Sequence, residues 1–424
     1  MKVTRGEARI IKPSAPAAAS LPAFIPLSSS DLVVPRVHVE IIYAFKAPAP
    51  PVADLEEGLA KVLSDYREWA GRLGKDENGR AVIDLNDEGV VFIEAEIDGE
   101  LESVMPFNPS PLLLDLVPVN RGVPELLLIQ VTKFTCGGIT VGVARQHQVA
   151  DGEGASAFMN AWASIVKKTP IVPPKHDRSF LMANDPPQPK FEHPEYKRPP
   201  PKADATQPEY PPLSVKKLHF SIDLLKKIKQ SATTEGDARG PSTFVSLTSH
   251  LWKCITRARG IDGEVQTRVL IAANGRKRLV PPIPDDYFGN VISHASSHST
   301  AKDLLEKPAS YATDLIQASI KRLDNEYIRS QMDCVELQQK NPVQIARSGK
   351  TVLSPNLSVT SWVQLPIYEL DFGYGTPVFA GGPYVPFEGI SIMLPSYTRD
   401  GSIDVIIGLF EPDMAKLQDI CFDV

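Results

Sequence analysis

The sequence predicts an α/β fold of two similar domains, and three observations support this prediction. The chain has 424 residues, more than one ordinary hydrophobic core organises. Segments with the periodicity of strands and of helices alternate in both halves of the chain. Between the halves, residues 169–212 hold 13 of the 39 prolines and keep no period of 2 or 3.6 residues, which is typical of a linker.

These observations also predict where the domains end. We expect a first domain over residues 1–168, a Pro-rich crossover linker over 169–215 and a second domain over 216–424. We also expect some late strands of the chain to complete the first domain.

The first half is predicted to contain four strands and two helices. The run 52–73 has the apolar spacing of an amphipathic helix, and a second helix begins at Gly152. The predicted strands cover residues 37–45, 90–96, 126–132 and 139–144, and the second helix covers 152–162.

The second half repeats this alternation. A helix over 242–259 is expected to begin at Ser242 or Thr243, because a hydroxyl side chain can cap the first turn. Further helices are predicted over 223–232 and 310–327, and strands over 217–221, 268–273, 357–362, 390–394 and 403–409.

Composition and charge exclude several classes of protein. The chain is 42% hydrophobic and 23% charged, and its net charge of −6 gives no general attraction for nucleic acid or anionic lipid. We expect no secretory signal from the N-terminal residues, and no run of membrane-spanning length is present in the sequence. The cysteines lie far apart without Cys-x-x-Cys spacing, so we expect reduced thiols in the cytoplasm and no structural metal; they are Cys136, Cys254, Cys334 and Cys421.

The strongest candidate for chemistry is the stretch from His147 to Gly152, which follows an apolar strand and opens a helix. Histidine is the side chain whose ordinary pKa lies near neutrality, so His147 can take a proton from an amine or an alcohol. Asp151 supplies a carboxylate four residues later. Composition produces such a pair by chance in roughly a third to a half of comparable chains, so the motif needs support from other segments.

Three further segments have both a functional and a structural interpretation. Residues Arg276, Lys277 and Arg278 place three charges in a turn after a strand, as a phosphate site would, although a solvated charge run has the same pattern. Ser242 and Thr243 can bind an anion or simply cap a helix. Residues 371–375 form a glycine-spaced turn around an aromatic residue, which is more often structural.

Other catalytic arrangements are absent from the sequence. It contains no Gly-x-Ser-x-Gly elbow and no Gly-x-Gly-x-x-Gly fingerprint. No further metal ligands stand at helical or hairpin spacing from His147. We assign the scattered histidines to surface or core positions; they are His176, His193, His219, His250, His294 and His298.

Taken together, these segments resemble the plant BAHD acyltransferases over essentially the whole chain. Residues 147–152 and 371–375 match the two family motifs in type, order and separation, with Tyr374 in place of a tryptophan. Residues 287–291, 354–357, 360–362 and 388–389 are similar to the hydroxycinnamoyltransferase branch. Within this branch, residues 42–51, 65–74 and 128–132 are most similar to the grass enzymes that acylate agmatine, putrescine or tryptamine.

The resemblance implies a fold and a reaction. Each domain would be similar to chloramphenicol acetyltransferase, with a mixed β-sheet and flanking helices. The enzyme would move a hydroxycinnamoyl group from coenzyme A to an amine of the agmatine, putrescine, tryptamine or tyramine class. It would act as a cytoplasmic monomer with no bound cofactor, no covalent acyl-enzyme, and no nucleic acid or membrane partner.

The resemblance also implies roles for individual residues. His147 would be the general base, and Asp151 would pair with Arg276 and fix the loop. Trp362, with Thr360 nearby, would stabilise the oxyanion. The 3′-phosphate of coenzyme A would contact residues 276–278 and Ser242 or Thr243. The remaining motif residues would shape structure away from the reacting atoms; these are Gly152, Asp371, Phe372, Gly373 and Gly375.

The acceptor is less well defined by the sequence. A cationic amine calls for a carboxylate, and we expect Glu388 or Asp285, then Asp31, to supply it. Arg347 opposes this expectation, because an arginine at this position suits an acid such as shikimate or quinate. A third hypothesis is a non-catalytic binding protein on the same fold. Asn274 also departs from the family, since many members have an aspartate there.

Overall fold

The computed structural model describes residues 1–19, 21–196, 209–233, 240–340 and 352–424, with the backbone only at 339 and 340. The chain divides into two units. The first contains Met1–Ala183, Pro281–Ile292 and Leu365–Tyr384, and the second contains Asn184–Val280, Ser293–Gln364 and Val385–Val424. Each unit therefore takes segments from separated parts of the sequence.

Among the described residues, the elements up to the first long buried helix include the four strands and two helices that the sequence predicts, with five further strands and two further helices. They are β1 (Val3–Arg5), β2 (Arg9–Ile11), β3 (Phe24–Pro26), α1 (Ser29–Leu32), β4 (His38–Phe45), α2 (Val52–Val62), β5 (Arg72–Lys75), β6 (Ala81–Asp84), β7 (Val90–Ile97), α3 (Pro111–Asp115), β8 (Leu127–Phe134), β9 (Ile139–Gln146) and α4 (Gly152–Val166).

The rest of the chain adds further strands and helices. They are β10 (Leu213–Phe220), α5 (Ile222–Ala232), α6 (Thr243–Ala258), β11 (Gln266–Asn274), β12 (Ile292–Thr300), α7 (Ala301–Glu306), α8 (Ala309–Lys321), α9 (Asn325–Lys340), β13 (Leu357–Ser361), β14 (Phe379–Gly381), β15 (Ile390–Pro395), β16 (Ile403–Phe410) and α10 (Glu411–Ile420).

The main sheet of the first unit has seven strands within the described residues. Six follow the order β1-β7-β8-β9-β4-β14, and β2 also pairs with β7. β7 and β8 are parallel, whereas β8, β9 and β4 are antiparallel neighbours. β9 is buried over its whole length, since its apolar run faces protein on both sides. The late strand β14 pairs with β4, so a distant part of the chain supplies an edge.

The sheet of the second unit has six strands in the part of the chain that the structure describes. Their order is β10-β16-β15-β13-β11-β12, with β11, β13 and β15 parallel. Helices α5, α8 and α10 pack against α6. Trp252 on α6 and Phe220 at the end of β10 lie in the apolar core. Within the described ranges, no helix is both long and apolar enough to cross a membrane.

The predicted helix over 52–73 is too long. α2 ends at Val62, and the chain passes through a short 3₁₀ helix, Arg67–Ala70, into β5. Tyr66 and Trp69 are still buried, so the apolar spacing reports burial and not a continuous helix. A side chain at Gly71 would meet the backbone oxygen of Asp84 at 2.2 Å, so glycine is needed for the close approach of β5 and β6.

The predicted helix over 310–327 is two helices. α8 ends at Lys321, and Asp324 then accepts a hydrogen bond from the backbone of Tyr327 in the first turn of α9. The sequence interpretation also missed several further elements, namely β1, β2, β3, α1, β5, β6, α3, β12, α7, β14 and α10. β12 is rich in serine and histidine, and its buried positions include small polar side chains such as Ser293, so no apolar alternation marks it.

Candidate active site

His147 follows β9 directly and is fixed through its backbone. β9 pairs with β4 so that Gln146 lies opposite His38, and the backbone nitrogen of His147 donates to the carbonyl of Val37 at 2.9 Å. The side chain is partly exposed, but its Nδ1 atom is buried. Nε2 is therefore the ring nitrogen that a ligand can reach.

The surroundings of His147 keep its imidazole neutral. Burial lowers its pKa to about 4, and the positive charge of Arg145 acts in the same direction. Its own backbone carbonyl, Asp151 and Asn290 oppose this shift without cancelling it. At neutral pH the ring is thus in the form that accepts a proton.

Asp151 begins the helix that follows. It is the N-cap of α4, where one carboxylate oxygen accepts from the backbone of Gly154 at 3.0 Å. The other oxygen accepts from the backbone of Val291 at 2.9 Å. Asp151 therefore joins the start of α4 to the 289–291 segment. Its predicted pairing with Arg276 stays a prediction.

The glycines at the start of α4 allow tight packing. A Cβ atom on Gly152 would lie 2.5 Å from a methyl group of Leu365, and one on Gly154 would lie 3.1 Å from the carbonyl oxygen of Gly289. Larger residues at these positions would push away the segments that hold the turn. This gives a structural reason for the glycine after Asp151.

Asp31 is part of a buried network and corrects our expectation of an acceptor carboxylate. It is fully inaccessible, and it completes the capping box of α1 by accepting from the backbone and the hydroxyl of the N-cap residue Ser28 at 2.8 and 2.7 Å. It also accepts from Asn290 and pairs with Arg178. Its oxygens are saturated, so an amine cannot reach them. The Ser-x-x-Asp spacing of a capping box was the signal in the sequence.

Glu388 is likewise a structural residue. Its side chain is buried, pairs with Arg259, and accepts from the backbones of Leu353 and Ser354 at 3.0 and 2.8 Å. These contacts fix the turn before β13 and argue against the expected role of Glu388 in amine binding. Asp285, by contrast, is exposed and remains a candidate. Arg347 lies outside the described residues.

The three charged side chains of the basic turn after β11 differ in their exposure to solvent. Arg276 is buried, Lys277 is exposed, and Arg278 is partly buried. The guanidinium of Arg278 donates to the carbonyls of Ile320 and Leu323 at 3.1 and 2.9 Å, so it caps the C-terminal end of α8. Arg278 is therefore less exposed than the sequence suggested, and Lys277 is the better candidate for a phosphate contact.

Asn274 maintains the backbone of this turn. Its side-chain oxygen accepts from the backbone of Arg276 at 2.9 Å, as an aspartate oxygen also would. The departure from the family pattern at this position therefore preserves the local turn.

Ser242 and Thr243 lie at the start of α6, and both are exposed. The hydroxyl of Ser242 accepts from the backbone of Val245 at 3.3 Å, which is the ordinary N-cap contact. Their role in anion binding stays a prediction.

Thr360 and Trp362 lie at the end of β13 in the second unit. Thr360 stands opposite Ile392 of the parallel strand β15, and the backbone of Trp362 donates to Met393 at 2.8 Å. The Trp362 side chain is 8% exposed. The strand pairing fixes both residues, and their part in chemistry stays a prediction.

Residues 371–375 form a structural turn. Asp371 accepts from the backbones of Gly373 and Gly375 at 2.7 and 3.0 Å, and both glycines have positive φ, +98° and +97°. Phe372 is buried edge-to-face against Trp162 of α4. Tyr374 is 44% exposed, so the change from tryptophan falls where little packing depends on it.

Within the part of the chain that is described, no group of three or more His, Cys, Asp or Glu side chains is placed to hold a metal ion. Two mixed-sheet α/β units, with a neutral histidine at a strand-to-helix turn, instead define a protein of the chloramphenicol-acetyltransferase-like class.

Comparison with known proteins gives the family. A family model described as the transferase family matches residues 1–421. The chain is 39% identical to agmatine hydroxycinnamoyltransferase 1 of Oryza sativa subsp. japonica, covering 100% of this chain and 99% of the relative. It is 36% identical to shikimate O-hydroxycinnamoyltransferase of Nicotiana tabacum, with 100% of both covered. The chain therefore belongs to the transferase family of BAHD acyltransferases, as its motifs predicted.

Solved structures agree with the fold. Vinorine synthase superposes with a TM-score of 0.75 at 21% identity, covering 98% of this chain and 96% of that one. TRI101 of F. graminearum, complexed with coenzyme A and deoxynivalenol, gives a TM-score of 0.77 at 18% identity, covering 93% and 97%. The protein is an acyltransferase with this two-domain fold.

Proposed function

We propose that this enzyme transfers a hydroxycinnamoyl group from coenzyme A to a primary amine of the agmatine or putrescine class. The observation that carries the proposal is the full-length similarity to amine acyltransferases. The chain is 39% identical to agmatine coumaroyltransferase-1 of Hordeum vulgare, with 100% of both chains covered. It is 36% identical to putrescine hydroxycinnamoyltransferase of Oryza sativa subsp. japonica, again over both whole chains.

The proposed reaction is direct transfer without an acyl-enzyme. The neutral acceptor amine attacks the thioester carbon, and its N–H becomes acidic as the nitrogen gains positive charge. Nε2 of His147 takes that proton. The tetrahedral intermediate then collapses, the C–S bond breaks, and the proton passes to the leaving thiolate. The products are an amide and free coenzyme A.

The neutral state of His147 supports its role as the base in this sequence. Its low pKa means that no proton has to leave the ring before reaction at neutral pH. The N–H of the attacked intermediate is more acidic than the free ammonium, which lowers the basicity that the imidazole needs. We propose Trp362 Nε1–H as the donor to the oxyanion, with Thr360 beside it in sequence.

For coenzyme A, we propose a 3′-phosphate contact at the basic turn. Lys277 is the exposed charge, with Arg276 and Arg278 supporting the turn and Ser242 or Thr243 as further donors. A lysine ammonium at the surface suits a phosphate that arrives from solvent.

Lys277→Ala is expected to raise KM for the acyl-coenzyme A by about 3- to 10-fold with little change in kcat, because one screened phosphate contact contributes about 1 kcal/mol. The wild-type KM should rise with salt for the same reason. Lys216→Ala, at an exposed position on β10, is the control. Equal KM values for the 3′-phosphorylated and dephosphorylated donors would show that the 3′-phosphate does not bind at this turn.

For the acceptor, we propose that Asp285 binds the second positive charge of a diamine or of agmatine. Of the three predicted carboxylates it is the exposed one, since Asp31 and Glu388 are buried in ion pairs. An exposed carboxylate can exchange water for a cationic ligand.

Asp285→Asn is expected to lower kcat/KM for agmatine and putrescine by about 10-fold or more, the scale of a charged hydrogen bond, and to spare tyramine and tryptamine. Asp286→Asn removes the same charge one residue later, where it pairs with Lys175, and should affect all acceptors equally. A loss shared by all four amines in Asp285→Asn would contradict a specific contact.

The direct test of the proposed function is a panel of acceptors with p-coumaroyl-coenzyme A, followed by release of free thiol. Turnover with amines supports the proposal. Turnover with shikimate or quinate supports the O-acyl alternative, which the tobacco relative favours. In that case Arg347→Ala should abolish acceptor use, whereas an amine enzyme should tolerate it. Binding of both substrates without thiol release would indicate a binding protein.

We also propose that the enzyme works as a cytoplasmic monomer. All four cysteines are free thiols. Reduced thiols suit a reducing compartment.

A further inference from the structure

The backbone around His147 is held by a buried polar network that the reaction as proposed does not use. The side-chain nitrogen of Asn290 donates to the carbonyl of His147 at 3.0 Å and to Asp31 at 2.9 Å. Arg178 pairs with the other oxygen of Asp31 at 2.7 Å, and it also donates to the carbonyl of Val149 at 2.9 Å. The network therefore contacts the catalytic turn at two carbonyls, those of residues 147 and 149.

The backbone of His147 is consequently fixed at both its N–H and its carbonyl. Its nitrogen donates to Val37 and its carbonyl accepts from Asn290. The neighbouring Val291 binds Asp151, so the 289–291 segment holds the turn on both sides of residues 148–150. A backbone held at each end confines the direction in which the imidazole points.

The network is costly to keep in an apolar interior. The side chains of Asp31 and Arg178 are 0% and 2% exposed, and a buried ion pair generally adds little net stability over apolar packing. Burial would lower the pKa of Arg178, but the charge of Asp31 raises it, so the guanidinium stays charged. The carboxylate is also saturated by Ser28, which leaves it no lone pair directed at a substrate.

We propose that Asp31, Arg178 and Asn290 are positioning residues for His147: they set the orientation of its ring through the carbonyls of residues 147 and 149. This inference rests on the proposed role of His147 as the base. It assigns to Asp31 a task in catalysis that differs from acceptor binding, and it makes the ion pair with Arg178 part of that task.

The alternative is that the network only stabilises the first unit. Two variants distinguish the positioning role from a purely structural one. Asn290→Ala removes both side-chain contacts of Asn290 without leaving a buried charge. Arg178→Lys keeps a cation beside Asp31 but is expected to lose the contact with Val149. The matched control is Asp333→Asn. Asp333 is a buried carboxylate in the second unit that accepts three hydrogen bonds, from Asn184 at 2.8 and 2.9 Å and from Gln188 at 3.0 Å.

Steady-state kinetics should be measured well below the Tm of each variant. For Asn290→Ala and Arg178→Lys we expect kcat to fall about 10- to 100-fold, with KM for the acyl-coenzyme A within about 2-fold of wild type. Asp333→Asn should lose Tm but keep kcat.

The pH profile gives a readout that a purely structural role does not move. A loosened turn admits water to the ring, and burial is the largest cause of its low pKa. The acid limb of kcat/KM, calculated on the concentration of neutral amine, should therefore move from near pH 4 toward 6.5 in Asn290→Ala and stay in place in Asp333→Asn.

Two outcomes would overturn the proposal. One is that Asn290→Ala and Arg178→Lys lose Tm but keep both kcat and the acid limb. The other is that only KM changes. A failure of the proposed role of His147 as the base is recognised by a different result. In that case His147→Ala itself stays active, whatever the activity of the Asn290 and Arg178 variants.

Discussion

His147→Ala is expected to lower kcat/KM by about 10²- to 10⁴-fold, because it removes the group that takes the proton from the attacking amine. Thiol release from p-coumaroyl-coenzyme A with agmatine measures the loss. Binding of the acyl-coenzyme A should persist, since none of the residues that we propose for its phosphate is changed. Activity above about a tenth of wild type would show that His147 is not the base.

His219→Ala is a suitable control for this variant. It removes an imidazole of the second unit that pairs with Asp404 at 2.7 Å, and it should keep activity. Circular dichroism of both variants should match wild type, because the His147 ring is partly exposed and its loss opens no large cavity.

The same residue sets the pH dependence. Since the pKa of His147 is lowered to about 4, kcat/KM calculated on the concentration of neutral amine should hold as pH falls through 6.5 and decline only near pH 4. The lowered pKa also makes the free energy of unfolding depend on pH. The unfolded chain binds a proton near its ordinary pKa of about 6.5, and the folded chain resists it, so this contribution to stability is lost as pH falls from 6.5 to 4. His147→Ala should remove that part of the dependence.

Asp151→Ala is expected to lower kcat by about 10- to 100-fold and also to lower Tm. The variant loses the N-cap of α4 and leaves the buried amide of Val291 without its acceptor. A lost cap costs about 1 kcal/mol and an unsatisfied buried amide about 1–3 kcal/mol, so the combined effect is visible in thermal unfolding. The catalytic loss follows because the turn before α4 carries His147.

The control for this variant is Ser221→Ala. Ser221 caps α5 by accepting from the backbone of Leu224 at 3.3 Å, and it is exposed in the second unit. It should lower Tm slightly and leave kcat unchanged. If Asp151→Ala instead kept its Tm and lost only kcat, the carboxylate would act as a direct relay to the imidazole and not as a support for the turn.

Much of the fold could be read from local patterns. β4, β8, β9 and β16 were predicted within a few residues, because long apolar runs in a central strand leave few alternatives. The predictions failed where the pattern of buried residues does not match the local backbone conformation. Tyr66 and Trp69 are buried at helical spacing outside any α-helix, and β12 is a strand with serine at buried positions. No periodicity rule distinguishes these cases, since tertiary contacts decide them.

The acceptor residues show the same division. The sequence does not distinguish the three candidate carboxylates, which were all chosen for their acidity; they are Asp31, Asp285 and Glu388. Only the structure separates them: two are saturated by cations and backbone amides, and one faces solvent. A carboxylate is available to a ligand when its lone pairs are unused, which depends on residues that are distant in sequence.

The sequence by itself determined the family, the alternation of strands and helices, and the placement of His147 and Asp151 at a strand-to-helix turn, because each of these depends on residues that are close in the chain. The tertiary structure decided the lowered pKa of His147 and the network of Asp31, Arg178 and Asn290. Both depend on burial and on contacts between residues as much as 259 positions apart. Burial and hydrogen bonding depend on residues that are distant in sequence and close in the folded chain, so the local sequence does not predict them.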